Sequence, residues 1–177
     1  MGGVDKAALR IGGVTLLDRV LGAARPVCDR LVVVGPVRRT SVAGVTFVMD
    51  AEPGGGPGAA VAAGLAAAPG GGVVLVLAAD LPLLTAGHLR DLLAALDAAG
   101  ADAAAAADEG GPNPLLAAYA GPALAARAGA LRAGARAATL LPADVVAVDL
   151  GRATLNVNRP EDLARAERFL AAPGDAE

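Results

Sequence analysis

Short apolar runs alternate along this chain with longer segments in which apolar residues recur at helical spacing. Leu16 to Ala24 carries the helical period, with Thr15 and Asp18 at capping-box spacing. Leu31 to Val34 and Val45 to Met49 read as short strands, the first ending at Gly35-Pro36 and the second at Asp50. A Gly/Pro-rich loop from Glu52 to Gly58 follows, and then a small-residue helix from about Pro57 to Ala68, begun by its proline. Val73 to Ala79 is apolar at every position, the pattern of a strand buried on both faces, and it ends at Asp80. Thr85 is placed to cap a helix of roughly fifteen residues that stops at Gly100.

The second half is less legible. Asp102 to Ala107 fits either a strand or a helix. Gly110-Gly111-Pro112-Asn113-Pro114 reads as a turn, and Leu115 to Tyr119 as the strand after it. An Ala/Arg-rich helix is expected over about Ala123 to Ala133 and a short strand over Val145 to Val148. The last helix begins at Pro160, with Glu161 and Asp162 in its first turn to complement the helix dipole. Residues 1–171 are expected to form one domain, and 172–177 a frayed tail.

Composition narrows the class. Hydrophobic residues make up 55% of the 177 positions but aromatics only 2%, so the core is built from Ala, Leu and Val. The mean hydropathy of +0.54 suggests a membrane protein, yet the longest clearly apolar stretch, Val73 to Ala79, has strand length. No apolar h-region opens the chain, and the protein reads as soluble and cytoplasmic. A net charge of −3 argues against a nucleic-acid surface, though not against a nucleotide, which a few local charges and a metal ion can hold. The single Cys28 excludes an intrachain disulfide and a cysteine zinc cluster; it reads as buried near the end of the first helix.

Strands alternating with helices predict a three-layer α/β fold, with a mostly parallel sheet and helices on both faces. Ligands of such sheets bind beyond the carboxyl ends of the strands, which singles out Gly35, Asp50 and Asp80. An Asp at a strand end also starts turns, so both readings are open for the two carboxylates. Lys6 is the only lysine beside fourteen arginines, which suggests a site needing a compact ammonium; chance survival on the N-terminal segment is the alternative. His88, one turn into a helix without catalytic partners, reads as surface or packing.

Four segments carry a family resemblance. Met1-Gly2-Gly3-Val4-Asp5-Lys6 resembles the Arg-Met-Gly-x-Asp-Lys signature of molybdenum cofactor guanylyltransferases. Asp50 with Gly56-Pro57 looks like a second nucleotide-side element, and Leu77-Ala78-Ala79-Asp80-Leu81-Pro82 is similar to the family's magnesium-binding strand-Asp-x-Pro motif. Asn156-Val157-Asn158-Arg159-Pro160-Glu161-Asp162-Leu163 is similar to its Asn-x-Asn-x-Pro-Glu-Asp-Leu element. The matches occur in order and span nearly the whole chain.

The resemblance implies a Rossmann-like nucleotidyltransferase fold and transfer of GMP from GTP to molybdopterin, with release of pyrophosphate. It implies Mg²⁺ held by Asp80, nucleotide contacts from Lys6, Gly35 and Asp50, and Asn156 and Asn158 towards the pterin or bracing the site. Molybdoenzymes or cofactor-synthesis proteins are the implied partners. The family also has an apolar first strand and a glycine-rich phosphate loop ahead of the position of Met1. The expectation is a start assigned too late, with a true truncation as the alternative. Gly35 stands where many relatives carry a polar residue, and Arg159 where a Ser or Thr would best cap the last helix.

Three other readings compete. A cytidylyltransferase for the same cofactor shares most of these motifs. Gly54-Gly55-Gly56-Pro57-Gly58-Ala59 formally fits a dinucleotide fingerprint, but Ala51-Glu52-Pro53 separates it from its strand and no acidic strand end follows at the required distance. A non-catalytic partner of a full-length transferase is the third. A P-loop kinase is excluded, because Lys6 follows Asp5 rather than Gly.

Overall fold

The computed structural model describes residues 5–49, 55–68, 70–131 and 134–171. Asp50 and the 172–177 tail, both singled out above, lie outside them. A 3-10 turn over Lys6–Ala8 leads into a hairpin of β1 (Arg10–Ile11) and β2 (Val14–Thr15). Its two-residue turn is Gly12-Gly13, with φ of 58° and 81°. Two successive left-handed residues match the right-handed twist of a hairpin, and glycine adopts them without strain. This hairpin escaped the sequence pattern, since two-residue strands leave no periodicity.

Then come α1 (Leu16–Ala24), β3 (Leu31–Val34), β4 (Val45–Val48), α2 (Gly56–Ala67) and β5 (Val73–Leu77). The chain continues with α3 (Ala86–Ala99), β6 (Ala103–Asp108), β7 (Gly111–Ala120), α4 (Gly121–Ala130), β8 (Val146–Asp149) and α5 (Pro160–Ala171). Chemical caps set several of these ends. The Thr15 hydroxyl accepts from the Asp18 amide at 3.0 Å, and Gly100 closes α3 in the left-handed conformation. The box at α1 is only half formed, because the Asp18 carboxylate accepts instead from Thr40 Oγ1 and the Ser41 amide.

The main sheet has the order β5-β7-β6-β8. Strands β5, β6 and β8 run one way, and β7 runs against both its neighbours. The reversal comes from the tight β6–β7 connection at Glu109-Gly110, which makes these strands a hairpin. The turn expected over Gly110 to Pro114 is therefore mostly strand: Gly111 already pairs with Asp108 and Pro112 with Ala107. A register shift between Ala105 and Ala107 accommodates the two prolines, which cannot donate to a regular ladder.

Both faces of the sheet are covered, as the three-layer expectation requires. Leu75, Leu77, Ala104, Ala106, Leu116 and Ala118 face one core cluster with the buried side chains of α1 and α3. Val74, Val76, Ala103, Ala105, Ala117 and Tyr119 face the other, against α2 and α4. The alternation follows from the two-residue period of a strand. Strands β3 and β4 pair in parallel as a separate two-stranded unit, and they pack into the same layer. Among the described residues no strand pairs with the second edge of β3 or of β5. That open edge explains why Val73 to Leu77 is partly exposed rather than buried on both faces as the apolar run suggests. Among the described residues, no helix is long and apolar enough to cross a membrane.

Candidate functional site

Strands β5, β6 and β8 share a direction, so Asp80, Asp108 and the segment after Asp149 emerge along one rim. The Asp80 end is tied to a distant part of the chain. The Val157 amide donates to the Asp80 carbonyl at 3.0 Å, and the Val157 side chain is fully buried with Ile11, Leu16 and Ala166. In an extended segment, side chains alternate, so seating Val157 turns its neighbours Asn156 and Asn158 the other way. Both line a cavity of about 600 Å³ together with Lys6 and Asp80.

Lys6 reaches into this cavity from the N-terminal 3-10 turn. Its Nζ donates to Asn158 Oδ1 at 2.6 Å and lies 3.6 Å from Asp80 Oδ2. The Lys6 and Asp80 side chains are 34% and 19% exposed, sheltered enough for charge to count and open enough for a ligand. Asp5, beside Lys6, pairs with Arg38 and thereby fixes the turn. Asn158 is held from below: its amide and that of Arg159 donate to Asp162 Oδ2 at 2.9 and 2.8 Å. Those two backbone donors hold the Asp162 carboxyl below its ordinary pKa. They form the reciprocal half of a capping box, in which the carboxylate at the third helical position accepts from the amide of the capping residue Arg159.

Of the sequence candidates, Lys6, Asp80, Asn156 and Asn158 thus converge. Gly35 does not line this cavity; it ends β3 with φ at 142°, and its amide donates to the Val48 carbonyl at 2.7 Å. His88 is a capping residue, its Nδ1 accepting from the Thr85 amide at 3.2 Å. Cys28 is half-buried, and burial pushes its thiol pKa up, the wrong direction for a nucleophile. Asn113 lines the cavity and was missed, because its Gly/Pro-rich surroundings read as a turn. Its Oδ1 accepts from the Leu115 amide at 2.9 Å, which leaves its NH₂ as the remaining donor.

The donor set is an ammonium, the Asp80 carboxylate, the Arg38-paired carboxylate of Asp5 and several amide groups. Asn156 Oδ1 is buried and has no hydrogen-bond partner, an acceptor left for something bound. Among the described residues no three His, Cys, Asp or Glu side chains cluster into a protein-built cage. The Asp80 carboxylate, facing an open cavity with amide oxygens near it, suits Mg²⁺, which keeps waters and takes its other ligands from phosphate. An ammonium beside that carboxylate has the charge to suit the same anionic ligand.

Residues 1–145 match the MobA-like NTP transferase domain. The chain belongs to that family. This MobA-like nucleotidyltransferase is 36% identical over 168 residues to a probable molybdenum cofactor guanylyltransferase of Deinococcus radiodurans, across 92% of this chain and 85% of that protein. Among solved structures it resembles molybdopterin-guanine dinucleotide biosynthesis protein A from Archaeoglobus fulgidus. The TM-score is 0.73 at 27% identity, covering 95% of this chain and 91% of that one. The 2-C-methyl-D-erythritol 4-phosphate cytidylyltransferase of Thermus thermophilus shares the fold, with a TM-score of 0.71 at 23% identity over 94% of each chain.

Proposed function

We propose that the protein transfers the GMP moiety of GTP to molybdopterin and releases pyrophosphate. The observation that carries this reading is the meeting of Lys6, Asp80 and Asn158 around one cavity, with Lys6 Nζ 2.6 Å from Asn158 Oδ1 and 3.6 Å from Asp80 Oδ2. The names of the Deinococcus and Archaeoglobus relatives support guanylyl transfer to this cofactor.

In this reaction a terminal phosphate oxygen of molybdopterin attacks the α-phosphorus of GTP. The bond from that phosphorus to the bridging oxygen breaks, and pyrophosphate leaves with the electron pair. Such displacements need positioning and charge neutralisation more than covalent participation by the protein. Lys6 binds the polyphosphate as a point charge, and Asn158 fixes where its ammonium sits. Asp80 would hold Mg²⁺, which when bound neutralises phosphate charge. Asn156 accepts from the pterin side, with Asn158 beside it, while Gly35 and Asp50 serve the nucleotide side.

The test is transfer with molybdopterin, Mg²⁺ and either GTP or CTP, reading the dinucleotide product and pyrophosphate. GMP transfer with preference for GTP is expected. Exclusive use of CTP would reassign the protein as a cytidylyltransferase, and no product with either nucleotide would overturn the enzyme reading.

A further inference from the structure

An ion pair inside the cavity joins two groups that the reaction requires to hold different partners. Lys6 Nζ lies 3.6 Å from Asp80 Oδ2, with the side chains 34% and 19% exposed. Among the described residues that line the cavity, Lys6 is the one cation, and the other carboxylate, Asp5, is already paired with Arg38. Each of these charges thus has an opposite one beside it. A site balanced in this way offers little net field to a bare metal ion or to a bare polyphosphate.

The way each partner is mounted decides which one gives way. Asp80 is fixed through the backbone around it. Its carbonyl accepts from the Val157 amide at 3.0 Å, and two residues earlier the Ala78 amide donates to the Leu115 carbonyl at 2.7 Å. Lys6 stands on a three-residue 3-10 turn and reaches the cavity along a flexible four-carbon stem. Its ammonium has three donors. Asn158 Oδ1 takes one of them at 2.6 Å, whereas 3.6 Å from Asp80 is an ion-pair distance and too long for a hydrogen bond. Lys6 can therefore leave Asp80 while Asn158 still holds it.

We propose that Lys6 is the resident counter-ion of Asp80, and that the pair exchanges partners when substrate binds. Lys6 passes from the carboxylate to a polyphosphate oxygen, and Asp80 thereby becomes free for a divalent cation. Each exchange removes the obstacle to the other, so divalent cation and polyphosphate bind with mutual dependence. With the cation alone, Lys6 would be a second positive charge beside the same carboxylate. With the polyphosphate alone, Asp80 would oppose it. The inference rests on the reading in which Asp80 takes the metal and Lys6 the polyphosphate, and it is independent of the base and of the acceptor.

The test uses Mn²⁺ alone and inorganic tripolyphosphate alone in the presence of EDTA, so it needs neither GTP nor molybdopterin. Calorimetry measures each affinity for the intact protein, Lys6→Gln, Lys6→Met and Asp80→Asn, with thermal melts in parallel. Both Lys6 variants should bind Mn²⁺ about tenfold more tightly than the intact protein does. Asp80→Asn should bind tripolyphosphate tighter by about the same factor, the low end of what removing one like charge about 4 Å away gives near a protein surface. A merely structural pair would show the reverse, because breaking it would weaken both ligands. Failure of either affinity to rise would overturn the exchange, whatever the protein's activity. If both rise and yet no GMP is transferred to molybdopterin, the exchange stands and the guanylyltransferase reading falls.

Discussion

Lys6 and Asn158 are 152 positions apart in sequence, and their side chains meet at 2.6 Å. The N-terminal turn and the loop before the last helix are thereby locked over the end of β5. If this ammonium neutralises phosphate charge, Lys6→Ala lowers kcat/KM for GTP by roughly a hundredfold, the usual scale for losing one preorganised electrostatic contact. Lys6→Arg recovers little of it, because a planar fork does not sit on Asn158 as a compact ammonium does. Steady-state kinetics with parallel thermal melts check both, and the melts should barely move.

Asp80→Asn separates metal binding from folding. The amide retains the shape but loses the charge that would hold Mg²⁺, so activity falls by about a hundredfold or more and the Mg²⁺ concentration needed for half-activity rises. A Mg²⁺ titration of the variant reads the shift. An unchanged titration would show that Asp80 is not the metal's ligand.

Val157 links stability to the site. Its side chain is fully buried, and its amide holds the Asp80 carbonyl. Val157→Ala should cost about 2 kcal/mol of folding free energy through lost burial and a residual cavity. It should also raise substrate KM values, because Asn156 and Asn158 lose the anchor that aims them. Urea denaturation measures the first effect and initial rates the second.

The acid side of the stability profile should involve Asp18. Burial works to raise its pKa, but hydrogen bonds from Thr40, the Ser41 backbone and Thr15 together bring it below 3.8. The folded state therefore favours the carboxylate. That contribution is complete above 3.8 and is lost as pH falls through the lower folded value. Asp18→Asn should be less stable than the parent near neutrality, and the gap should close below about pH 4. Thermal melts across that range decide it.

Legibility in the sequence tracks the kind of signal each element leaves. The ends of helices α1, α3 and α5 can be read because Thr15, Thr85, Gly100 and Pro160 mark them chemically. The strand at Ala103 to Asp108 is ambiguous, since consecutive alanines carry neither strand nor helix periodicity. Asp80, Asn156 and Asn158 stand out through motif and position, but their closeness depends on Val157 docking against a remote core. Asn113 is hidden because Pro112 and Pro114 signal a turn, while hairpin pairing with β6 makes the segment a strand. The partial exposure of β5 is not legible at all, because a residue string does not say which strand edges find partners.

That last feature bears on motion. Asp80 follows a strand latched to β7 along one side, and among the described residues no strand pairs along the other. Local opening there breaks one ladder instead of two, so the end of the sheet that carries Asp80 should fluctuate more readily than the alanine-packed ladder between β6 and β7. Hydrogen exchange would show this as quicker amide turnover in β5 than in β6. The carboxylate proposed to hold the metal is thus mounted on an edge strand of the main sheet rather than at its centre.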